Sequence, residues 1–244
     1  MRSGNPVLKD STFKQSFEVA GEPMTLAGTV NKTAMLLAMI LITAAYTWGR
    51  FMETRDPAAV YGLLMVGVIG GLIVALVTVF RPMAAPYTAP AYALLEGLAL
   101  GGISAILEVR FPGIVVQAVG LTFGTLFCLL AAYRSGLIKA TENFKLGVVA
   151  ATGGIMLLYV VNFVMGFFGH SIGFIHESGT MGILFSAFVV VIAALNLVLD
   201  FDFIESGVEQ GAPKYMEWYG AFGLTVTLVW LYLEILRLLA KSRD

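Results

Sequence analysis

Seven apolar runs constrain this chain more than anything else in it: residues 33–49, 60–80, 87–107, 114–133, 146–168, 180–200 and 218–238. A helix needs about 20 apolar residues to cross roughly 30 Å of hydrocarbon. The first run is short and is expected to begin nearer Val30. None of the seven alternates with the two-residue period of a membrane barrel, so the spans are helices. Charged residues make up 13% of the 244, about half the share of a soluble domain. That is too little charge to coat a water-soluble surface. The 27 glycines suit close helix contacts in lipid. The expected fold is an all-α integral membrane protein, a single seven-transmembrane-helix bundle.

Breakers mark the turns. Arg55-Asp56-Pro57, Arg81-Pro82 and Phe111-Pro112-Gly113 separate the first four spans, and only the segment 201–217 is long. Three parts follow: a polar tail over 1–31, a membrane domain over 32–240 and a short basic tail over 241–244. The tail carries Asp10, Glu18 and Glu22 and no apolar core, so it does not read as a cleavable signal. Phe13 and Phe17 are read as stray aromatics.

Lys and Arg in alternate loops number nine on the tail side and three, Arg50, Arg55 and Arg110, on the other. The N-terminus is therefore expected to be cytoplasmic. Seven spans then put the C-terminus outside, against the sense of Arg237, Lys241 and Arg243. A net charge of −1 gives no basic surface for nucleic acid. The single cysteine, Cys128, excludes an intrachain disulfide and is expected to be a small packing residue.

Within the runs only Glu96, Asp200, Glu234 and Arg237 are charged. An ionisable group in lipid costs several kcal/mol and is a functional suspect by default. Glu96 is nine residues into the third run, about 14 Å deep at 1.5 Å per residue. It is expected to be protonated, paired or facing a wet cavity. Gly97, Gly101 and Gly102 would let a helix or a water path approach it. Asp200 closes the sixth run with Asn196 one turn earlier on the same face. Asp202, Glu205 and Glu209 would extend it into an acidic mouth that concentrates cations, or form an ordinary solvated helix end. Glu234 and Arg237, three apart, read as an interfacial pair with the arginine snorkelling. Arg81 is placed at the level of Asp200, as a latch or a plain positive-inside anchor.

His170 and His176, beside Glu177, are too far apart for a convincing metal pair. Gln117, Asn143 and Asn162 are expected to hydrogen-bond between helices, and the sequon at Asn31 is discounted. No catalytic constellation, nucleophile elbow or phosphate loop is present, so neither an enzyme nor a bound cofactor is expected.

Four stretches in order resemble one family. Ala93-Leu-Leu-Glu96-Gly97-Leu-Ala-Leu-Gly-Gly is similar to the third-helix acidic-glycine signature of the Bax inhibitor-1 family. Ile114-Val-Val-Gln117-Ala118 with Thr122 and Phe127 resembles its fourth helix, Leu195-Asn-Leu-Val-Leu-Asp200 the end of its sixth, and Leu231-Tyr-Leu-Glu-Ile-Leu-Arg237-Leu-Leu the close of its seventh. The resemblance covers roughly residues 30–240 and implies a bacterial-type member with a central helix ringed by the others. It implies a pH-sensitive calcium leak, gated by two facing aspartates near the cytoplasmic mouth, with calcium as permeant ion. The sixth-helix acid carries over to Asp200, and an arginine latch to Arg81.

For the seventh-helix acid, one alignment offers Thr227 and another Glu234. Glu234 is about 24 Å from the start of its run and Thr227 about 14 Å, so only Thr227 can approach Asp200. The second acid is then missing. Two close carboxylates share a proton and sense pH as a pair, whereas Asp200 with Thr227 and Asn196 would bind calcium weakly. Two other readings stand beside the leak. One is a non-conducting regulator binding membrane-protein partners such as a membrane protease, docking through faces like Gly67-x-x-Gly70-Gly71. The other is a proton-coupled transporter. The compact chain suits a bacterial inner membrane.

Overall fold

The computed structural model describes residues 22–170, 172–173 and 179–244. Seven helices in it are long and apolar enough to cross a membrane: α1 Leu26–Thr54, α2 Ala58–Phe80, α3 Ala85–Arg110, α4 Ile114–Arg134, α5 Glu142–Phe167, α6 Thr180–Glu209 and α7 Met216–Lys241. The tail residues Asp10, Phe13, Phe17 and Glu18, and His176 and Glu177, lie outside the described residues.

Local chemistry sets the helix ends. The Thr25 hydroxyl accepts from the Gly28 N–H and starts α1, taking up one of the amides that a helix start leaves without a partner. Asp56 caps Ala58 at the start of α2. A single 3-10 turn, Pro82–Ala84, leads into α3. Gly113, at φ 81°, reverses the chain into α4. There the Glu108 carboxylate accepts from the Gly113 and Val115 amides at 2.6 and 3.1 Å. A negative group suits that end of a helix.

The middle of the bundle is α3, α6 and α7. About half of each apolar window is buried, against about a fifth in the other four helices. α7 packs against α1, α3, α4 and α6, which makes it the central helix the resemblance implies. The outer helices present apolar side chains such as Leu72 and Phe163 outward, the surface a bilayer would solvate. Among the described residues, α3 approaches α1 and α2 backbone to backbone. A Cβ on Gly97 would lie 2.4 Å from the Ile40 carbonyl oxygen, and one on Gly101 2.3 Å from that of Ala44. A Cβ on Gly67 of α2 would lie 2.6 Å from the Leu95 carbonyl oxygen. The Gly67-x-x-Gly70-Gly71 face is therefore filled by α3 within the bundle.

Several expectations are corrected. α1 starts at Leu26, well before the tail boundary near residue 31. α6 continues past Asp200 to Glu209, because Phe201, Phe203, Ile204, Ser206 and Gly207 give the extension a buried face. Cys128 is exposed on α4, not buried as a packing residue would be. Gln117 accepts from Arg243 at 2.8 Å, Asn162 accepts from the Ile172 amide at 2.9 Å, and Asn143 is exposed. Gln117 thus meets the C-terminal tail and Asn162 the segment after α5. His170 is exposed.

The C-terminal charges also find their place. Arg243 donates to the Phe111 and Pro112 carbonyls, Arg110 pairs with Asp244 at 2.7 Å, and Lys241 donates to the Gly182 carbonyl at 3.1 Å. The basic end of α7 thus caps the turns on its own side, opposite to the start of α1.

Candidate functional site

Buried polar groups form three levels along α6 and α7. At the end nearest the start of α1, Glu217 is fully buried in the first turn of α7. Its carboxylate accepts from the Thr25 amide (2.9 Å) and hydroxyl (2.8 Å) and pairs with Lys32, whose ammonium also lies over the Trp218 ring. Lys214 stands 3.4 Å away, and its hydrogen bond to Glu217 holds its ammonium above the usual lysine range. The same corner ties the chain start down, with the Met24 amide donating to the Ala212 carbonyl. Gly28 makes room for the carboxylate, since a Cβ there would lie 2.2 Å from Glu217 Oε1.

The middle level holds Asp200, which is 0% exposed. It is nine residues inside the end of α6, about 14 Å along the axis. Thr227, eleven residues into α7, is also buried and stands at about 16 Å, the same level. Asn196 is buried and donates through Nδ2 to Thr152 Oγ1 on α5 at 2.8 Å. Because α6 runs on, Asp200 is a deep group and not the mouth of a channel.

The outer level is Glu234, 2% exposed and about 27 Å along α7. It pairs with Arg237 at 2.8 Å and accepts from the Tyr159 hydroxyl of α5 at 3.0 Å. Arg237 donates to the same hydroxyl at 2.7 Å. The pairing within α7 follows from the spacing. The acid of that pair is buried with the Tyr159 hydroxyl of α5 upon it, while 43% of the Arg237 side chain stays exposed.

The other expected site residues stand apart from these. Glu96 is half-buried in the seam with α2, where a Cβ on Gly71 would lie 3.0 Å from its Oε2. α6 packs against α1, α4, α5 and α7, so Glu96 and Asp200 belong to different seams. Arg81 is exposed just past the end of α2. It forms no ion pair among the described residues and lies a helix end away from the Asp200 level. It does not latch Asp200 here. Arg81→Gln is expected to leave thermal stability within about 0.5 kcal/mol, as read by unfolding in detergent.

Nor is the mouth acidic. A cavity of about 450 Å³ opens there, lined by Tyr133, Arg134, Lys139, Asp202 and Glu205. Asp202 is paired with Lys145 of α5 at 2.7 Å, and Glu205 accepts from the Tyr133 hydroxyl at 2.5 Å. Two positive side chains balance the two acids in its lining. Among the described residues no three His, Cys, Asp or Glu side chains gather as a metal site.

Sequence reasoning missed Glu217, Lys32 and Tyr159. The signal was an acid and a lysine at the starts of two spans. What fold and site define is a polytopic helical membrane protein in which two of the three inner helices, α6 and α7, carry buried ionisable groups at three depths. The chain belongs to the Bax inhibitor 1 like family, whose model matches residues 5–244, essentially the whole chain. Comparison with curated proteins and with solved structures gives no match.

Proposed function

We propose that this protein is a calcium-leak channel in a bacterial inner membrane, with its N-terminus cytoplasmic, its gate at Asp200 and neither a catalytic role nor a resident cofactor. The observation that carries this reading is a fully buried carboxylate about 14 Å inside the end of α6, at the level of Thr227 on α7. Keeping an acid there costs stability, and a purely structural bundle would be served as well by an apolar residue.

The ligand set suits passage more than storage. Calcium prefers six to eight oxygens. One carboxylate with the Asn196 amide and the Thr227 hydroxyl would hold it only briefly. With threonine at the position of the second acid, the gate titrates as one group and not as a coupled pair.

The test is calcium flux into proteoliposomes between about pH 6 and 8, with Asp200→Asn alongside. A leak that follows a single-proton curve, and loses its pH dependence in Asp200→Asn, is the expected result. A leak indifferent to both would remove Asp200 from the gate. No flux from folded protein would reject the channel. The regulator reading has less support, because the glycine face suited to docking is filled by Leu95, Glu96 and Ala99.

A further inference from the structure

Three observations converge on one face of α6, where Val189 and Asn196 meet α5 and Ala193 packs with α4 and α7. The first concerns unpartnered atoms. Ser186, Val189, Ala193, Asn196 and Asp200 recur every three or four residues, so they share one face of α6, and all are buried. On that face Ser186 Oγ and Asn196 Oδ1 have no hydrogen-bond partner among the described residues. Inside a bundle surrounded by hydrocarbon, such atoms carry their full desolvation penalty. Their presence calls for an explanation.

The second observation is how lightly α5 is held. Its main backbone neighbour is α6 alone, and it is among the least buried helices. Three polar ties fix it at three depths. Lys145 reaches Asp202, Thr152 meets Asn196, and Tyr159 meets Glu234 and Arg237. The third observation is the plug between the upper two ties, where Ile155 packs with Val189 and Ile192 of α6. Oxygen-bearing groups therefore flank a short apolar stretch, along the face that ends at Asp200.

We propose that cations cross along this face of α6, between α5 and α7, and that Tyr159 with Glu234 and Arg237 is the outer lock holding α5 closed against α7 over it. The proposal rests on the conducting reading above and gives that site its path. In the closed state Arg237 supplies the positive charge beside Glu234, so no mobile cation is needed there. When α5 leans away, Thr152 Oγ1, Asn196 Oδ1 and Ser186 Oγ become oxygen ligands for a hard cation, and the apolar plug parts. Tyr159 is a positioning residue: its hydroxyl holds the lock shut without lining the path.

Two measurements on the whole chain test this. Tyr159→Phe keeps the ring and the Glu234–Arg237 pair and removes only the bridging hydroxyl. It is expected to raise calcium flux into proteoliposomes about tenfold, the shift expected from one charge-assisted hydrogen bond of the closed state. Arg237→Lys, which keeps the charge, should fall between Tyr159→Phe and the unaltered protein.

The second readout does not depend on ions. In a Cys128→Ser background, Ser186→Cys is alkylated with a membrane-impermeant thiol reagent. Labelling is expected to be slow alone and to rise in parallel with flux when Tyr159→Phe is added. If the protein leaks and Asp200→Asn alters the leak, while Tyr159→Phe moves neither flux nor labelling, the path lies elsewhere and this inference falls alone. If no variant leaks, the channel reading fails and takes the path with it. If flux rises and Ser186→Cys stays unlabelled, α5 is not the moving wall.

Discussion

Gly97→Leu is expected to prevent recovery of a folded, monodisperse protein in detergent. A Cβ at this position would sit 2.0 Å from Thr43 Oγ1 and 2.4 Å from the Ile40 carbonyl oxygen. The second of these is backbone, so only a shift of α1 as a whole relieves it. Overpacking a well-filled interior costs about 1–3 kcal/mol where side chains can rearrange. Here the obstacle is another helix's main chain, and the cost should exceed about 3 kcal/mol. Gly101, against the Ala44 carbonyl, belongs to the same contact.

The comparison is Gly153→Ala on α5, where an added methyl meets nothing within 4 Å. It should be neutral or stabilise the helix by about 0.5–1 kcal/mol. Thermal unfolding with size exclusion reads both. Equal behaviour of the two variants would mean that α3 and α1 do not approach as described.

The second large effect is at Glu217. Removing one partner of a buried, hydrogen-bonded pair costs about 3–5 kcal/mol, because the other charge is left behind. Lys32 is partly exposed, with 17% of its side chain accessible. Its ammonium can therefore reach the headgroups, which places Glu217→Ala near the lower end, about 3 kcal/mol. For a chain of this size that is a fall in Tm of roughly 6–12 °C. Gly28→Ala pushes the same carboxylate aside and should cost less. The double variant should cost clearly less than the sum, since both changes act on one group. Additive losses would show that Gly28 and Glu217 contribute independently.

The seven spans were legible because hydrocarbon imposes a length and forbids charge, and both are written directly in the residue order. The α7 pairing of Glu234 with Arg237 was legible too, since a spacing of three fixes neighbours on a helix. Asp200 could be picked out as an acid in lipid, but its depth could not. The extension 201–209 carries Asp202, Glu205 and Glu209 and reads as a solvated end. It is helical because one face of it, formed by Phe201, Phe203, Ile204, Ser206 and Gly207, is buried.

What the sequence determined alone, then, is the number of crossings, their order and the identity of the ionisable groups inside them. Tertiary structure decided which of those groups meet. Lys32 and Glu217 lie 185 residues apart in the chain, and Tyr159 lies 75 from Glu234. Their contact depends on which helix stands beside which and how far each is rotated. Periodicity within a single helix shows a face without naming what that face will touch, and so the buried clasp at Glu217 and the lock at Tyr159 appear only once the bundle is assembled.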